Sequence, residues 1–365
     1  MFTFESIYKA YRACIRNKRN TLNAIRFEAN LLENLTDLET SLQNRTYRPV
    51  RSLCFVAHSP KMREIFAADF RDRVVHHLLI DAIEPFYERK FIYDVYNNRK
   101  AKGTHAAVKR ARKFANTYRY FLQLDIKGFF YRLDKNILFK IFYEDITKST
   151  LACKEEILYL ANRIIYHDPT KDVRIKGDIK AVEALPPHKT LFKLPKHKGL
   201  PIGNLTSQFF ANVYLNRFDH FVKRVLHVRA YLRYVDDFVL FSDSKEQLSR
   251  YKEEIMEFLH TKLDLQLRDS GILKEVSQGL DFLGYIVRPN YTLVRKRVVK
   301  NFKRKKAVYL DRYEALRGKM ELAEIKAFLS VRASFLAHAK HADSYNLINT
   351  VGVIHESDPF DFDRR

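Results

Sequence analysis

The chain has 365 residues, of which 46% are hydrophobic and 13% aromatic, a globular composition with room for two or three lobes and not a disordered one. Its 66 Lys and Arg outnumber 43 Asp and Glu, giving a formal net charge of +23 that predicts a polyanionic partner. Nucleic acid fits better than a membrane, because no basic amphipathic helix has a Trp-rich apolar face.

The compartment is predicted from what the chain lacks. No run reaches 18 apolar residues, and the first residues form no apolar signal segment. Cys14, Cys54 and Cys153 are widely spaced and odd in number. We therefore expect reduced thiols in a cytoplasmic protein that is neither secreted nor embedded in a membrane.

The first part of the chain predicts helices followed by a basic hairpin. Residues 4–45 have apolar residues at helical spacing. From Tyr47 the pattern changes to a strand up to Val56, a turn at Ser59-Pro60 and a second strand over 63–67. Lys61 and Arg63 lie near the tip of this hairpin.

A second helical pattern covers 69–88. His76 and His77 lie within it and are interpreted as ordinary helix residues, because adjacent positions do not share a helix face. Residues 93–113 then predict a loop that leads into a basic helix. An apolar strand over 120–124 ends on the carboxylate of Asp125.

Asp125 could cap a helix, but Asp134 directly precedes the next helical pattern and is the better cap. Residues 135–166 predict two helices, and 168–199 a hairpin or an extended loop. After these, Gly203-Asn204 predicts a turn that opens a long helix, whose free N–H groups suit a nucleotide or phosphate.

Ala230 to Ser242 reads AYLRYVDDFVLFS, two apolar runs that meet at Asp236 and Asp237. This pattern predicts a β-hairpin with both acids at its turn. A second carboxylate is a poor choice for turn chemistry alone, whereas divalent cations bind carboxylate oxygens. A solvated Asp-Asp turn is the alternative interpretation of the dipeptide by itself.

The remaining chain predicts a helix capped by Ser242, Asp243 or Ser244, one strand over 280–287, and helices over 298–349. A dense basic patch opens these last helices and consists of Arg295, Lys296, Arg297, Lys300, Lys303, Arg304, Lys305 and Lys306. The acidic residues 351–365 are expected to be poorly ordered.

In serial order these features suit phosphoryl transfer. Three carboxylates, at Asp125, Asp236 and Asp237, could hold two divalent ions that activate a 3′-hydroxyl and stabilise leaving pyrophosphate. Lys61 and Arg63 would neutralise a triphosphate, and the basic patch would hold a duplex by its phosphates.

These motifs resemble those of reverse transcriptases from about Tyr47 to Val287. Tyr234-Val235-Asp236-Asp237 is similar to their Y-x-D-D box, and Leu124-Asp125-Ile126 to the strand with the first metal-binding Asp. The resemblance implies two Mg²⁺ ions, with Mn²⁺ as a possible substitute, and a carbonyl ligand from Ile126. It also implies an α+β fold with the right-hand arrangement of fingers, palm and helical thumb.

The resemblance implies further roles. Phe130 falls at the steric-gate position that excludes a ribose 2′-hydroxyl and so selects deoxynucleoside triphosphates, and Lys274 matches a lysine near the leaving pyrophosphate. The other implied nucleotide contacts are Lys61, Arg63, Ile202 and Gly203. Template and primer contacts are expected from Arg73, Ser207, Gln208, Tyr234, Phe282, Leu283, Gly284, Arg295, Arg297 and Lys300.

One departure indicates a subtype. Most reverse transcriptases have Q-G-x-x-x-S-P at the helix-opening motif, whereas Ile202 to Gln208 reads IGNLTSQ. This wording resembles the reverse transcriptases of diversity-generating retroelements, as do GLDFLGYIVRP (279–289) and SFLAHAKHADSY (334–345). That resemblance implies error-prone copying of a template RNA, especially at adenines, a cDNA/RNA duplex, and a small basic accessory protein oligomer. The alternative is that Ile202 is only a core residue of its turn.

The resemblance predicts an N-terminal helical extension (1–45), fingers (46–118 with part of 135–200), a palm (119–290), a thumb (291–350) and a tail. Other bacterial reverse transcriptases, of group II intron or phage-defence type, remain an alternative, as does a non-catalytic RNA-binding scaffold. The short sequence after the predicted thumb leads us to expect no maturase, endonuclease or RNase H segment.

Overall fold

The computed structural model describes residues 1–16, 18–58, 61–269 and 271–351. Helices and mainly antiparallel sheets are mixed along the chain, so the predicted α+β class is confirmed. The predicted turn at Ser59-Pro60 and all but the first residue of the predicted tail lie outside the described residues.

The helices are α1 (Phe4–Ile15), α2 (Leu22–Ala29), α3 (Leu31–Gln43), α4 (Phe70–Lys90), α5 (Thr104–Ala115), α6 (Phe129–Arg132), α7 (Lys135–Thr147), α8 (Lys154–Ile165), α9 (Ile179–Glu183), α10 (Leu205–His220), α11 (Lys245–Leu263), α12 (Lys296–Ala315), α13 (Leu322–Ala339) and α14 (Tyr345–Thr350). The strands are β1 (Ser52–Ala57), β2 (Arg63–Ala67), β3 (Tyr120–Asp125), β4 (Val173–Ile175), β5 (Ala230–Tyr234), β6 (Asp237–Ser242), β7 (Ile272–Glu275), β8 (Leu280–Phe282), β9 (Tyr285–Val287) and β10 (Thr292–Val294).

The chain forms two compact units whose residues alternate along the sequence. Unit 1 contains Met1–Lys100, Leu124–Phe238 and Arg250–Gly271, and unit 2 contains Ala101–Gln123, Val239–Ser249 and Ile272–Arg365. The division into extension, fingers, palm, thumb and tail stays a prediction.

Helices α1, α4, α7 and α10 build the core of unit 1. The helix predicted over 69–88 is confirmed as α4, which buries Val74, Val75 and Leu78 and also His76. Its burial lowers the pKa of His76 to about 3, so its imidazole is neutral. Asp134 caps α7 as predicted, because its carboxylate accepts hydrogen bonds from the first free N–H groups of that helix.

A three-stranded sheet of order β2-β1-β4 carries the basic hairpin. Strands β1 and β2 are antiparallel, with Ala57 opposite Arg63, so the predicted hairpin is confirmed. Of the two alternatives predicted for 168–199, the hairpin is wrong, because β4 pairs in parallel with β1 and the other residues form α9, short 3₁₀ turns and loop. Short 3₁₀ turns follow, and the buried carboxylate of Glu64 accepts hydrogen bonds from Thr190 Oγ1 (2.7 Å) and Leu191 N (2.8 Å).

A four-stranded sheet has the order β5-β6-β3-β7. The prediction of both acids at a hairpin turn is half correct, because Asp236 follows Val235 in the turn whereas Asp237 begins β6. Strand β7 is antiparallel to β3 and places Lys274 opposite Phe121. Among the predicted caps of α11, Ser244 accepts a hydrogen bond from Gln247 N.

The third sheet has the order β10-β9-β8 and lies in unit 2. The prediction of one strand over 280–287 is wrong, because the chain reverses at Leu283 (φ 50°) and Gly284 (φ 90°) to form the β8–β9 hairpin. Positive φ at both central residues is the geometry that tight two-residue hairpins require.

The helices that follow are confirmed as α12, α13 and α14. They share a small core in which the rings of Phe302 and Phe335 stack at 4.1 Å. Cys14 and Cys54 are buried thiols, and Cys153 is an exposed one. Within the described ranges, no helix is long and apolar enough to cross a membrane.

Candidate active site

Two of the three predicted catalytic carboxylates lie together in unit 1. Asp125 is the last residue of β3, and Asp236 lies in the turn between β5 and β6. The backbone N–H of Ile126 donates to the carbonyl of Asp236 at 3.2 Å. The two carboxyl groups are close enough to share a hydrogen bond.

This proximity raises the proton affinity of the pair. Burial raises the pKa of Asp125 to about 6, and the neighbouring charge of Asp236 adds to the effect. Burial also raises the pKa of Asp236. Two carboxylates this close ionise together only where a cation offsets their repulsion; otherwise they share a proton.

Arg268 supplies one such cation, and the sequence analysis did not find it. Its guanidinium forms an ion pair with the carboxylate of Asp125, and its backbone N–H donates to the Asp125 carbonyl at 2.8 Å. The segment that carries it runs beside the residues after β3, because Lys127 N donates to Gln266 O at 2.8 Å. Arg268 lies in no recognisable sequence motif. Its positive charge is therefore the one feature of the sequence that could have indicated a role at the site.

The residues present are suited to a divalent cation, although the third carboxylate is not gathered with the other two. In the part of the chain that the structure describes, no three His, Cys, Asp or Glu side chains are arranged to hold a metal. Asp125 and Asp236 nevertheless provide hard oxygen donors close together, which Mg²⁺ favours. Two backbone hydrogen bonds join this segment to residues 266–268, from Lys127 N to Gln266 O and from Arg268 N to Asp125 O. Neither uses the carbonyl of Ile126, which was predicted to be a metal ligand.

The basic hairpin contributes positive charge to the same place. Lys61 and Arg63 are exposed, and Arg63 begins β2. Lys61 lowers the proton affinity of Asp125, and Arg63 that of Asp236. Both predicted triphosphate contacts therefore act electrostatically on the carboxylate pair.

The helix-opening turn lies against strand β2. The carbonyl of Ile202 accepts a hydrogen bond from Phe66 N at 2.8 Å, and Ile202 is half-buried. Gly203 has φ 123°, and a Cβ there would lie 2.7 Å from the carbonyl oxygen of Phe66, so only glycine fits. The helix-opening turn is thus joined to the hairpin that carries Arg63 by a backbone hydrogen bond and by close packing at Gly203.

Other predicted contact residues in unit 1 lie around these elements. Phe130 is half-buried in α6, and its carbonyl accepts from Leu200 N at 2.8 Å. Arg73 Nε donates to Ala68 O at 2.8 Å. Ser207 is buried in the first turn of α10, Gln208 is exposed beside it, and Tyr234 ends β5 half-buried.

The predicted primer-side residues cluster within unit 2. Leu283 and Gly284 form the β8–β9 turn, and the carbonyl of Gly284 accepts from Arg295 N at 3.0 Å. Arg295 also forms an ion pair with Asp281 at 2.7 Å. Phe282 is buried in β8, whereas Arg297, Lys300 and Lys274 are exposed.

The family model described as reverse transcriptase (RNA-dependent DNA polymerase) matches residues 57–287. This range is more than half of the chain and contains the carboxylate pair, the second strand of the basic hairpin with Lys61 and Arg63, and the helix-opening turn. The chain therefore belongs to the reverse transcriptase family, whose members generally use divalent metal ions, RNA and deoxynucleoside triphosphates.

Curated relatives are distant. The group II intron-encoded protein LtrA of Lactococcus lactis subsp. cremoris is 24% identical over 322 residues, which are 70% of this chain and 50% of that protein. The chain thus spans about half the length of that relative. Protein YkfC of Escherichia coli (strain K12) is 23% identical over 78% of this chain and 80% of its own length.

Among solved structures, telomerase from Candida albicans in complex with a fragment of telomeric RNA aligns with a TM-score of 0.45. It is 12% identical, over 83% of this chain and 58% of that chain.

The raised pKa of Asp125 predicts a pH-dependent stability in the metal-free protein. Because the folded state holds the proton more tightly than the unfolded one, the stability from Asp125 is present below about pH 4 and is lost as pH rises through about 6. Asp125→Asn mimics the protonated form, so with EDTA it should be more stable than wild type at pH 7.5 by about 1 to 2 kcal/mol, after allowance for partial exposure.

Urea unfolding at pH 4.5 and pH 7.5, with EDTA or with Mg²⁺, measures this difference. The advantage of Asp125→Asn should shrink at pH 4.5, and Mg²⁺ should stabilise wild type more than the variant. An advantage that is equal at both pH values would contradict the raised pKa.

Proposed function

We propose that this chain is an RNA-directed DNA polymerase that joins deoxynucleotides by a two-metal mechanism. The observation that carries the proposal is the half-buried pair of Asp125 and Asp236, with Lys61 and Arg63 acting on it, in a member of the reverse transcriptase family. Such a pair has little use in a surface that only binds RNA, because carboxylates held close together repel each other and repel phosphates.

In this proposal the carboxylates of Asp125, Asp236 and Asp237 and the carbonyl of Ile126 hold two Mg²⁺ ions, for which Mn²⁺ could substitute. When bound, the ions lower the pKa of the attacking 3′-hydroxyl and stabilise the charge of the transition state. Asp237 is half-exposed at the start of β6, from which its side chain would complete the ligand set.

The remaining nucleotide contacts follow the same arrangement. Lys61 and Arg63 bind the triphosphate, and Lys274 acts at the leaving pyrophosphate. Phe130 excludes the ribose 2′-hydroxyl, and Ile202 with Gly203 contacts the incoming nucleotide. Each side chain here binds or orients substrate, so catalysis comes from positioning and electrostatic stabilisation.

The nucleic acid is held by two groups of residues. Arg73, Ser207, Gln208 and Tyr234 contact the template and primer near the carboxylates. The β8–β9 turn of Phe282, Leu283 and Gly284 and the cations Arg295, Arg297 and Lys300 hold the duplex farther along. A formal charge of +23 supports this polyanionic partner, and binding should weaken as salt rises.

We further propose the diversity-generating retroelement subtype, in which error-prone cDNA is made from a template RNA in the cytoplasm with a small basic accessory protein. Ile202 supports this subtype. Its carbonyl accepts a hydrogen bond from Phe66 N, so its apolar side chain is held next to β2, the strand that begins at Arg63. A glutamine there would offer a polar side chain to the nucleotide, and Ile202 cannot.

A second candidate is a reverse transcriptase of the group II intron type. It is favoured by the 24% identity to a group II intron-encoded protein from Lactococcus lactis. Neighbouring genes discriminate the two: an accessory reading frame and a near-duplicate repeat that differs at adenines would support the retroelement.

Asp236→Asn should abolish primer extension on an RNA template with Mg²⁺. Removing one charge of the carboxylate pair weakens a proposed metal ligand, so we expect a loss of at least about 10²-fold in the extension rate. The exposed Asp37→Asn on α3 is the matched control and should leave the rate unchanged. RNA binding without extension by wild type would instead support a non-catalytic scaffold.

Ile202→Gln should lower misincorporation opposite template adenine several-fold, because it restores a polar contact for the incoming nucleotide. Sequencing of cDNA pools copied from one template RNA measures the error spectrum. Ile202→Val is the matched control, since it keeps the apolar surface and should keep the spectrum. An identical spectrum for Ile202→Gln would mean that the residue only packs its turn.

A further inference from the structure

Val235, which immediately precedes the carboxylate of Asp236, has an unfavourable backbone conformation. Its φ is 58°, in the left-handed region. Branching at Cβ makes valine one of the residues least suited to this region, and such strain persists only where the surroundings impose it. The position of Asp236 therefore depends on whatever holds Val235.

Two side chains hold the peptide groups on either side of this residue. The N–H of Val235 donates to Asn97 Oδ1 at 2.9 Å, and its carbonyl accepts from the Arg233 guanidinium at 2.8 Å. Both backbone polar groups of Val235 are thus fixed from outside the turn. The Nδ2 of Asn97 is buried without a partner in the described structure. The contribution of this side chain is therefore the hydrogen bond that its Oδ1 accepts from Val235 N.

Arg233 is itself held rigidly. Its side chain and that of Asp219 are both fully buried and form a two-pronged ion pair, with Nε to Oδ1 at 2.8 Å and Nη2 to Oδ2 at 2.6 Å. The same guanidinium donates to Asn212 Oδ1 at 3.2 Å, and Tyr231 donates to Asp219 at 2.7 Å. All these groups lie on β5 and α10.

Asn97 is positioned by the same elements. Arg233 N donates to Asp94 O at 2.9 Å and Tyr96 N donates to Arg233 O at 3.0 Å, so the segment before Asn97 runs parallel to the end of β5. The carbonyl of Asn97 accepts from Asn212 Nδ2 at 2.9 Å. Helix α10 therefore supports both side chains that hold Val235.

A buried ion pair is a poor way to stabilise a core, because apolar residues of the same volume are often as stable or more so. What the pair provides here is a guanidinium in one fixed orientation, aimed at one carbonyl. We propose that Asn97 and Arg233 are positioning residues that hold Val235 in the left-handed conformation and thereby keep Asp236 beside Asp125. This inference rests on the proposed polymerase function.

The experiment is a double-mutant cycle between positions 97 and 235. Asn97→Ala removes the acceptor, so Val235 should relax and Asp236 should shift. Glycine adopts positive φ without strain, so Val235→Gly should make the turn less dependent on Asn97. Asn216→Ala, which truncates another buried asparagine on α10, is the matched control for loss of packing.

Primer extension gives kcat, the KM for deoxynucleotide and the Mg²⁺ concentration at half-maximal rate. Asn97→Ala should lower kcat about tenfold or more and raise the required Mg²⁺, with KM changed less than about twofold. In the Val235→Gly background the same change should cost less than about threefold. Asn216→Ala should not show the split between kcat and KM.

Equal losses in both backgrounds would overturn the proposal, as would losses that merely follow the folded fraction in urea unfolding. Failure of Asn97→Ala to fold in both backgrounds would also overturn it, because the coupling would then be absent. An inactive wild type would overturn the polymerase function instead. In that case the positioning role is still decided by how much Mg²⁺ stabilises each protein of the cycle against urea: wild type, Asn97→Ala, Val235→Gly and the double variant.

Discussion

The repulsion between the carboxylates of Asp125 and Asp236 is the constraint on which the rest of unit 1 depends. Asp125 ends β3 and Asp236 lies in the turn between β5 and β6, and the backbone bond from Ile126 to Asp236 holds the two segments together. Burial and mutual charge raise the pKa of Asp125 to about 6. A protein tolerates such an arrangement where a cation completes it, which is the chemical basis of the proposed metal site.

The surrounding structure keeps this unfavourable arrangement in place with polar networks. The Asp219–Arg233 pair, Asn97 and helix α10 fix the turn before Asp236, whereas Arg268 balances the charge of Asp125. The same helix begins at the Gly203 turn, which is bonded to the strand of Arg63. One helix therefore connects the elements proposed to bind the nucleotide with the turn that carries Asp236, a proposed metal ligand.

Much of this was predictable because hydrophobic periodicity and caps act locally. The strand ending at Asp125, the Asp134 cap and the hairpin with Arg63 follow from patterns within a few residues. The pairing of β4 with β1 does not follow from a local pattern, because it joins segments more than 100 residues apart. The β8–β9 reversal was missed because Leu283 adopts positive φ, which leucine seldom does.

The residues that support the site were harder to find than those that form it. Arg268 and Asn97 act through contacts distant in sequence, and neither lies in a motif. Arg233 did give a signal, since an arginine within an apolar strand must be paired when it is buried. Its partner, Asp219, could be identified only when the fold brought α10 against β5.

The central claim is that a divalent cation relieves the repulsion between Asp125 and Asp236. Titration of Mn²⁺ into the protein, followed by electron paramagnetic resonance between pH 5 and pH 8, measures this most directly. The affinity for Mn²⁺ should be constant above about pH 7 and should fall by up to about tenfold per pH unit below about pH 6, because a proton on Asp125 competes with the ion. Binding that is independent of pH, or unchanged in Asp125→Asn, would contradict it.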